Sequence, residues 1–188
     1  MATLRIRIPL EDPAPPVNGM ILSEFPYSAQ GDQAHWCWAA CASMVDRHFG
    51  GWYSPCTVAS WAHPDGGCCA DPDKCDGPLD GGDISSLYSK LEISSNHLSQ
   101  TVDFPALCHE IDEKRPVQVR YQWHEGGGHA AIVCGWDTQG SQSFVLVHDP
   151  LYGKGYADYH KSLLLAYDLG KWCDTWMGLQ RLSIDRPR

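Results

Sequence analysis

The spacing of apolar residues changes along the chain, from a helical period in the first part to strand alternation in the second. Apolar positions that fall on one helical face predict three helices, over about 36–49, 84–91 and 104–114. Gly50 follows the first of them as a stop signal, and Asp83 and Asp103 are placed to cap the second and the third. The first part of the chain is therefore expected to be mainly helical.

Strand signals dominate the second part. Residues 117–123 alternate between apolar and polar, which is typical of a strand with one buried face. Two continuous apolar runs, 130–136 and 144–147, flank turn-forming residues and predict a hairpin. A short helical piece near 161–168 and a final strand at about 176–184 complete the pattern. Helices followed by antiparallel strands indicate the α+β class.

The length of 188 residues is enough for a single domain with a sizeable core. We divide the chain into an N-terminal arm (1–29), a helical half (30–115) and a sheet half (116–188). Within the arm, residues 4–8 alternate and predict an edge strand or an ordered extension. The helical half contains an irregular segment, 51–82, in which Gly, Pro, Asp and Cys are frequent.

Charge and hydropathy exclude two classes of partner. With 23 acidic against 14 basic residues the formal net charge is −9, which argues against nucleic acid. No apolar segment has the length of a membrane span, and the N-terminal residues lack the apolar stretch of a signal peptide. We expect a monomeric cytoplasmic protein that needs no cofactor or bound metal and does not bind membranes, or one exported without a signal peptide.

Cys37 is the candidate nucleophile, because it lies where a polar loop enters the first predicted helix. Unpaired N–H groups and the positive end of the helix dipole favour an anion in the first turn. A cysteine in this position, beside a cation, has its pKa lowered from about 8.5 to roughly 3.5–7.5. The thiolate is the reactive form, so this cysteine differs from a buried structural one.

The predicted hairpin supplies a base and a residue to orient it. If its turn centres near Gln139, then His129 and Asp149 face each other at its open end. His148 would point to the opposite face of the sheet, and His124 is the rival base in the same loop region. A thiolate, a base and a carboxylate that fixes the tautomer of the base together suffice for nucleophilic catalysis.

An oxyanion formed during acyl transfer also needs donors. The backbone N–H of Cys37 and a glutamine amide from the preceding loop can provide them. Gln30 and Gln33, seven and four residues before Cys37, are the two candidates. The residues alone leave this choice open.

The Gln…Trp-Cys-Trp-Ala-Ala motif at 30–40, Gly-Gly-His at 127–129 and His-Asp-Pro at 148–150 together resemble the papain-like cysteine peptidases. The most similar branch is the bacterial one typified by avirulence proteases of plant pathogens, and the resemblance spans about 20–180. It implies that Cys37 is the nucleophile, His129 the general base and acid, and Asp149 the orienting residue, where plant papain has Asn. That family usually places its oxyanion glutamine six residues before the cysteine, where this chain has Gly31. A one-residue insertion would give the role to Gln30.

Four cysteines cluster in the irregular segment, at Cys56, Cys68, Cys69 and Cys75. There are three alternatives for them: disulfides, which would imply export; free thiols; or a structural zinc site, for which His63 is a further candidate ligand. The spacing matches no paired C-x-x-C zinc pattern. Of the other cysteines, Cys108 in a helix and Cys134 in a strand are expected to be buried thiols.

The sequence thus predicts a papain-like hydrolase that cleaves peptide bonds in a protein or peptide substrate through a thioester acyl-enzyme. We expect its cleft between the helical and sheet halves, lined by Trp36, Trp38 and Gly128, with Trp123 and Trp136 as further candidates. A glutamine deamidase or transglutaminase uses the same triad, and the sequence does not separate these activities. The third hypothesis is a non-catalytic cysteine-rich binding module.

Overall fold

The computed structural model describes residues 16–63, 65–79 and 81–182. The strand or arm predicted at 4–8 lies outside the described residues. Four helices precede most of the sheet: α1 (Cys37–His48), α2 (Pro55–Ala62), α3 (Gly81–Lys90) and α4 (Phe104–Asp112).

Three of these helices confirm the predicted ones. Asp103 caps α4, and its carboxylate accepts a hydrogen bond from the backbone N–H of Ala106 at 2.9 Å. Asp83 was expected to cap α3, but this helix begins at Gly81, so Asp83 lies inside its first turn. The segment expected to be irregular contains a complete helix, α2, which Ser54 caps at its N-terminus.

The described strands form one antiparallel sheet. They are β1 (Met20–Ile21), β2 (Ile93–Leu98), β3 (Val117–Trp123), β4 (Gly128–Gln139), β5 (Gln142–Asp149), β6 (Gly153–Asp158) and β7 (Gly170–Arg181). Their order is β2-β7-β3-β4-β5-β6, and β1 pairs with β4 beyond the end of β3. β3 has the predicted bounds.

Three strands, β1, β2 and β6, were not predicted, and a fourth begins earlier than expected. β2 lies inside the half expected to be helical, and its few apolar residues, in Ile-Ser-Ser-Asn-His-Leu, give a weak strand signal. β6 is rich in glycine and also escaped detection. β7 begins at Gly170 and not at about residue 176. Its first half is mixed in polarity, so the sequence pattern did not reveal that part of the strand. The predicted piece near 161–168 is two short helices, Tyr159–Leu163 and Ala166–Asp168.

Apolar side chains cover both faces of the sheet. One cluster joins α1, α2 and α3 to the sheet through residues such as Met44, Tyr88 and Trp176, all fully buried. The second cluster lies on the other face and includes Val119 and Val147. Burial on both faces explains why β4 and β5 have continuous apolar runs instead of strict alternation.

The β4–β5 hairpin forms as predicted, but its register differs from the prediction. The strands pair Gln139 with Gln142 at the turn and Ile132 with His148 farther along, and a bulge lies between Val133 and Gly135. His129 and Asp149 are therefore not directly opposite. They are offset by two residues on the same face, a diagonal separation that long side chains can bridge.

The irregular segment 51–82, hereafter the cysteine-rich segment, is cross-linked by two disulfides, Cys56–Cys69 and Cys68–Cys75. This is the first of the three alternatives for these cysteines. In the described part of the chain, no group of three or more His, Cys, Asp or Glu side chains is arranged to hold a metal ion. Cys134 is a buried free thiol as expected, whereas Cys108 is only half-buried.

None of the helices within residues 16–63, 65–79 and 81–182 combines the length and the apolar character needed to cross a membrane.

Candidate active site

Cys37 is the first residue of α1, as predicted. No side chain caps this helix at Trp36, so the N–H groups of its first turn are open to a ligand. The next cysteine on this helix, Cys41, is fully buried, and burial raises the pKa of its thiol well above the usual value. Of the two thiols, the half-buried Cys37 is therefore the one that can meet a substrate.

His129 and Asp149 are in direct contact. Nε2 of His129 lies 2.7 Å from Oδ1 of Asp149, and the exposed fractions of the two side chains are 4% and 0%. His129 also borders the same cavity as Cys37, and the Cys37 side chain helps to raise the pKa of the imidazole. Since Nε2 faces the carboxylate, Nδ1 is the ring nitrogen available to the thiol. The three side chains thus come together at one place, with His129 bonded to Asp149 and next to Cys37 in the cavity lining.

The Asp149 carboxylate is fully supplied with donors. Besides His129, its Oδ1 accepts the backbone N–H of Leu151 at 2.9 Å and that of Tyr152 at 3.0 Å. Its Oδ2 accepts the hydroxyl of Tyr167 at 3.2 Å. Charge-assisted hydrogen bonds of this kind hold a buried carboxylate in one orientation.

The electrostatic surroundings favour the protonated imidazole. Burial alone would lower the pKa of His129, but the charge and the hydrogen bond of Asp149, helped by Cys37, outweigh it and raise the pKa to about 10. An imidazolium at neutral pH is the cation that a neighbouring thiolate needs. This arrangement is suited to a thiolate–imidazolium pair.

Aromatic rings enclose the imidazole. Trp123 is stacked on His129, with ring centroids 5.6 Å apart, and Tyr152 meets it edge-on at 5.9 Å. The fully buried Tyr121 is also stacked against His129, with ring centroids 6.3 Å apart. These rings restrict the orientation of the imidazole and exclude water from it. Trp123 was a candidate for the wall of the cleft, but it is stacked on the candidate base and is absent from the cavity lining.

A cavity of about 250 Å³ opens beside Cys37 and His129. It lies where the helices meet the sheet, as predicted, between α1, the end of the cysteine-rich segment and the strands β3 and β4. Its walls include the apolar Leu79 and Ile84 and the polar Arg120. An extended peptide could place one side chain here while its backbone passes the thiol.

Two of the three predicted substrate-binding residues line this cavity. They are Trp38 and Gly128. The ring of Trp36 lies in the core, where its Nε1 donates to the carbonyl of Cys75 at 3.0 Å. Trp136, also considered for the cleft, is instead hydrogen-bonded to Asp112.

The two candidate oxyanion glutamines differ in their surroundings. Gln30 is buried, and its Nε2 donates to the carbonyl oxygens of Gln33 at 2.8 Å and Ala34 at 3.2 Å. Its Oε1 has no hydrogen-bond partner among the described residues. Gln33 is half-buried. Neither side chain lines the cavity, so Gln30 shapes the loop before Cys37 in this conformation.

Asp76 is a site residue that the sequence did not reveal. Its carboxylate accepts the backbone N–H groups of Ala34 at 2.9 Å and His35 at 2.7 Å, in the loop just before the nucleophile. The next residue, Gly77, accepts the indole N–H of Trp38 at 3.0 Å. The end of the cysteine-rich segment thus holds the start of α1 in place. No local pattern signals contacts between residues about 40 positions apart.

Removing the Cys68–Cys75 disulfide (C68S/C75S) should therefore affect activity as well as stability. We expect a loss of about 2–3 kcal/mol in the free energy of unfolding. Because Cys75 and Asp76 hold the residues around Cys37, kcat/KM of the folded fraction should fall about tenfold. C56S/C69S is the matched control, since that bond does not include Cys75. Equal kcat/KM for the two variants, after correction for folded fraction, would contradict this role.

The second missed residue is Tyr167, which sits in a strained turn. The three consecutive residues Ala166, Tyr167 and Asp168 have φ angles of 44°, 59° and 64°. For residues other than glycine, the left-handed conformation costs roughly 1–2 kcal/mol each. This turn places the Tyr167 hydroxyl on Asp149 and its ring between Tyr121 and Tyr152. A sequence without glycine here gives no warning of such a turn.

Replacing Tyr167 by phenylalanine keeps the ring and removes the donor to Asp149. Because one oxygen of a fully buried carboxylate then loses its partner, we expect the free energy of unfolding to fall by about 1–2 kcal/mol. Chemical denaturation measures this change. Y152F serves as the control, since Tyr152 contacts Asp149 through its backbone and should lose less than about 0.5 kcal/mol. A loss for Y167F no larger than for Y152F would show that the hydroxyl contact is unimportant.

The other histidines near the hairpin are placed differently. His124, the rival base, is exposed in the β3–β4 loop and is absent from the cavity lining. His148 lies against Phe25 and Tyr27, and its Nδ1 is 3.1 Å from the carbonyl oxygen of Pro26. Of these histidines, only His129 lies at the cavity with Cys37.

Comparison with known proteins identifies a family and a fold. The model of the Peptidase_C39 like family matches residues 22–174, whereas no curated protein sequence matches the chain. The peptidase domain of Streptococcus ComA, a bi-functional ABC transporter involved in quorum sensing, is similar in structure, with a TM-score of 0.56 and 15% identity over 82% of this chain and 97% of that one. A structure from work on the mite allergens Blo t 1 and Der p 1 has a TM-score of 0.58 and 12% identity, over 90% of this chain and 73% of that one. These similarities show a papain-like α+β fold.

The avirulence protein AvrPphB of Pseudomonas, from the branch singled out by the sequence motifs, also matches. Its TM-score is 0.38 and its identity 10%, over 85% of this chain and 99% of that one. This similarity is too low to assign the chain to that branch of the family.

Proposed function

The chain belongs to the Peptidase_C39 like family and is a papain-like cysteine peptidase, and on this premise we propose that Cys37, His129 and Asp149 form its catalytic triad. The observation that carries the proposal is that Cys37 and His129 border one cavity and that His129 is hydrogen-bonded to a fully buried Asp149. Three separate elements, α1, β4 and β5, converge to make it.

In the proposed mechanism the Cys37 thiolate attacks the carbonyl carbon of a peptide bond. The tetrahedral intermediate collapses as the C–N bond breaks, and Nδ1 of His129 gives its proton to the leaving amine. A thioester between Cys37 and the acyl part of the substrate remains. His129 then removes a proton from water, which hydrolyses the thioester and restores the thiolate–imidazolium pair. Asp149 keeps Nε2 protonated and the ring oriented throughout.

The backbone N–H of Cys37 is the proposed first donor to the oxyanion, since it lies at an uncapped helix start. We keep Gln30 as the proposed second donor. Both N–H groups of its amide now bond to carbonyl oxygens of the preceding loop, so one must be released when the oxyanion forms. Comparing Q30A with Q33A would test this role: only Q30A should lower kcat strongly.

The experiment that tests the function uses a complex mixture of peptides and mass spectrometry. A peptidase creates new termini, a deamidase converts glutamine to glutamate, and a transglutaminase joins two peptides. New termini that are absent with C37A are the expected result. Conversion of glutamine without cleavage would replace the proposal with the deamidase alternative, and no change in any peptide would leave the binding-module hypothesis.

The two disulfides bear on where the enzyme works. Disulfides form and persist in oxidising compartments. We therefore include export in the proposal, with Cys37 kept as a free thiol beside two structural cross-links.

A further inference from the structure

A second polar cluster borders the cavity beside the triad. Nη1 of Arg120, on β3, donates to Oδ2 of Asp174, on β7, at 2.7 Å. The other oxygen of Asp174 lies 2.9 Å from Nε2 of His97, whose ring is stacked on Trp176. A bulge between β3 and β7 leaves Cys173 unpaired in the register, and its thiol contacts both partners of the ion pair. Arg120 is thus held firmly by one end of its guanidinium group.

The other edge of this guanidinium is free. Among the described residues, no group accepts a hydrogen bond from Nε or Nη2 of Arg120. A Cβ placed on Gly128 would lie 3.5 Å from Nε and 3.6 Å from Nη2, so this edge faces the residue just before His129. The side chain is 28% exposed and lines the same cavity as Cys37. The edge therefore points to the space where a bound peptide would lie.

We infer that Arg120 is a specificity-determining residue that binds an acidic side chain of the peptide substrate, Asp or Glu, close to the scissile bond. The inference rests on the proposed peptidase function. The Nε–Nη2 edge presents parallel N–H groups that match the two oxygens of a carboxylate. Gly128 has no side chain that could cover this edge, and a Cβ there would also lie within 2.8 Å of the backbone oxygen of Tyr121, so a larger residue does not fit without a shift.

Recognition at this site depends on direct contact instead of long-range attraction. The formal net charge of −9 repels an acidic peptide at a distance, and Asp174 already offsets the charge of Arg120. What distinguishes a carboxylate from an amide here is therefore the pair of charge-assisted hydrogen bonds. A contact of this kind, partly open to water, should favour Glu over Gln about tenfold.

The test measures labelling of Cys37, which does not require peptide cleavage. N-chloroacetyl dipeptide amides that differ only by Glu or Gln at one position are allowed to alkylate the protein near pH 6. Peptide mapping gives the second-order rate constant at Cys37. At one of the two positions the Glu probe should react about tenfold faster than its Gln partner. R120K, which keeps the charge beside Asp174 but lacks the forked edge, should lose this preference.

Lys171 provides the matched control. It is exposed on β7 and pairs with Gln122, near the cavity but outside its lining. K171Q removes one positive charge nearby and should keep the Glu preference. Equal rates for Glu and Gln probes at both positions, or a preference that R120K retains, would overturn the inference. Labelling with iodoacetamide distinguishes this outcome from a failure of the proposed function. If only the inference about Arg120 is wrong, iodoacetamide still labels Cys37 rapidly; if the proposed function is wrong, it does not.

Discussion

Replacing His129 by glutamine is expected to lower kcat/KM for peptide cleavage by about 10⁴-fold or more. The proposed imidazole does three things: it stabilises the thiolate, protonates the leaving amine and activates water. Glutamine approximates its size and polarity but cannot carry the proton. The measurement is kcat/KM on one peptide identified in the cleavage screen, with circular dichroism to verify folding.

His124 is the control for this substitution, because it is exposed in the loop that leads to β4. H124Q should keep kcat/KM within about twofold, since surface substitutions away from a site have small effects. If H129Q kept more than a tenth of the activity, or if H124Q removed it, the assignment of the base would be wrong.

Replacing Asp149 should produce the second large effect, on stability and on pH dependence together. In D149A four donors lose their acceptor in a fully buried place, and the buried charge partner of His129 disappears. We expect the free energy of unfolding to fall by about 3–5 kcal/mol, measured by denaturant titration. Activity of the remaining folded enzyme should fall by about 10³–10⁴-fold.

D149N separates the charge from the shape. Asparagine can keep its oxygen on His129 and the two backbone donors, and its amide can donate to the hydroxyl of Tyr167, which is able to accept. We therefore expect D149N to lose much less stability than D149A. An equal loss of stability in both variants would contradict the view that hydrogen bonding at Asp149, and not charge alone, holds this part of the fold.

The pH dependence follows from the pKa of His129. Because folding raises this pKa from about 6.5 to about 10, the protonated ring stabilises the folded protein fully below pH 6.5, and that stability is lost as the pH rises through about 10. The alkaline limb of kcat/KM should accordingly lie well above pH 6.5. In D149N, whose oxygen carries no charge, this limb should move toward neutrality. An alkaline limb unchanged by D149N would exclude Asp149 as its cause.

The sequence predicted those elements whose signals are local. Periodicity located three of the helices, alternation located β3, and Asp103 marked the start of α4 because a cap is a contact over three residues. β2 and β6 were missed, since their strand character comes from pairing with β7 and β5 and not from their own composition. The predicted register of the β4–β5 hairpin was wrong, because the turn lies later than expected and a bulge follows Val133.

The candidate site was predictable for a similar reason and to a similar extent. Cys37, His129 and Asp149 each lie at the end of a helix or a strand, where sequence signals are strong. The residues that support them come from distant parts of the chain: Asp76 from the disulfide-linked segment and Tyr167 from a left-handed turn. Contacts of this kind depend on tertiary packing, which a single sequence does not display.

The central claim, that Cys37 is an activated nucleophile, is tested most directly by alkylation with limiting iodoacetamide near pH 6, without reductant, followed by peptide mapping. Five cysteines are free among the described residues, and an ordinary thiol is nearly unreactive at this pH. We predict rapid labelling at Cys37 alone, lost in H129A, with the four cysteines of the two disulfides unlabelled. Slow labelling spread over several thiols, or labelling of Cys37 that persists in H129A, would contradict the account.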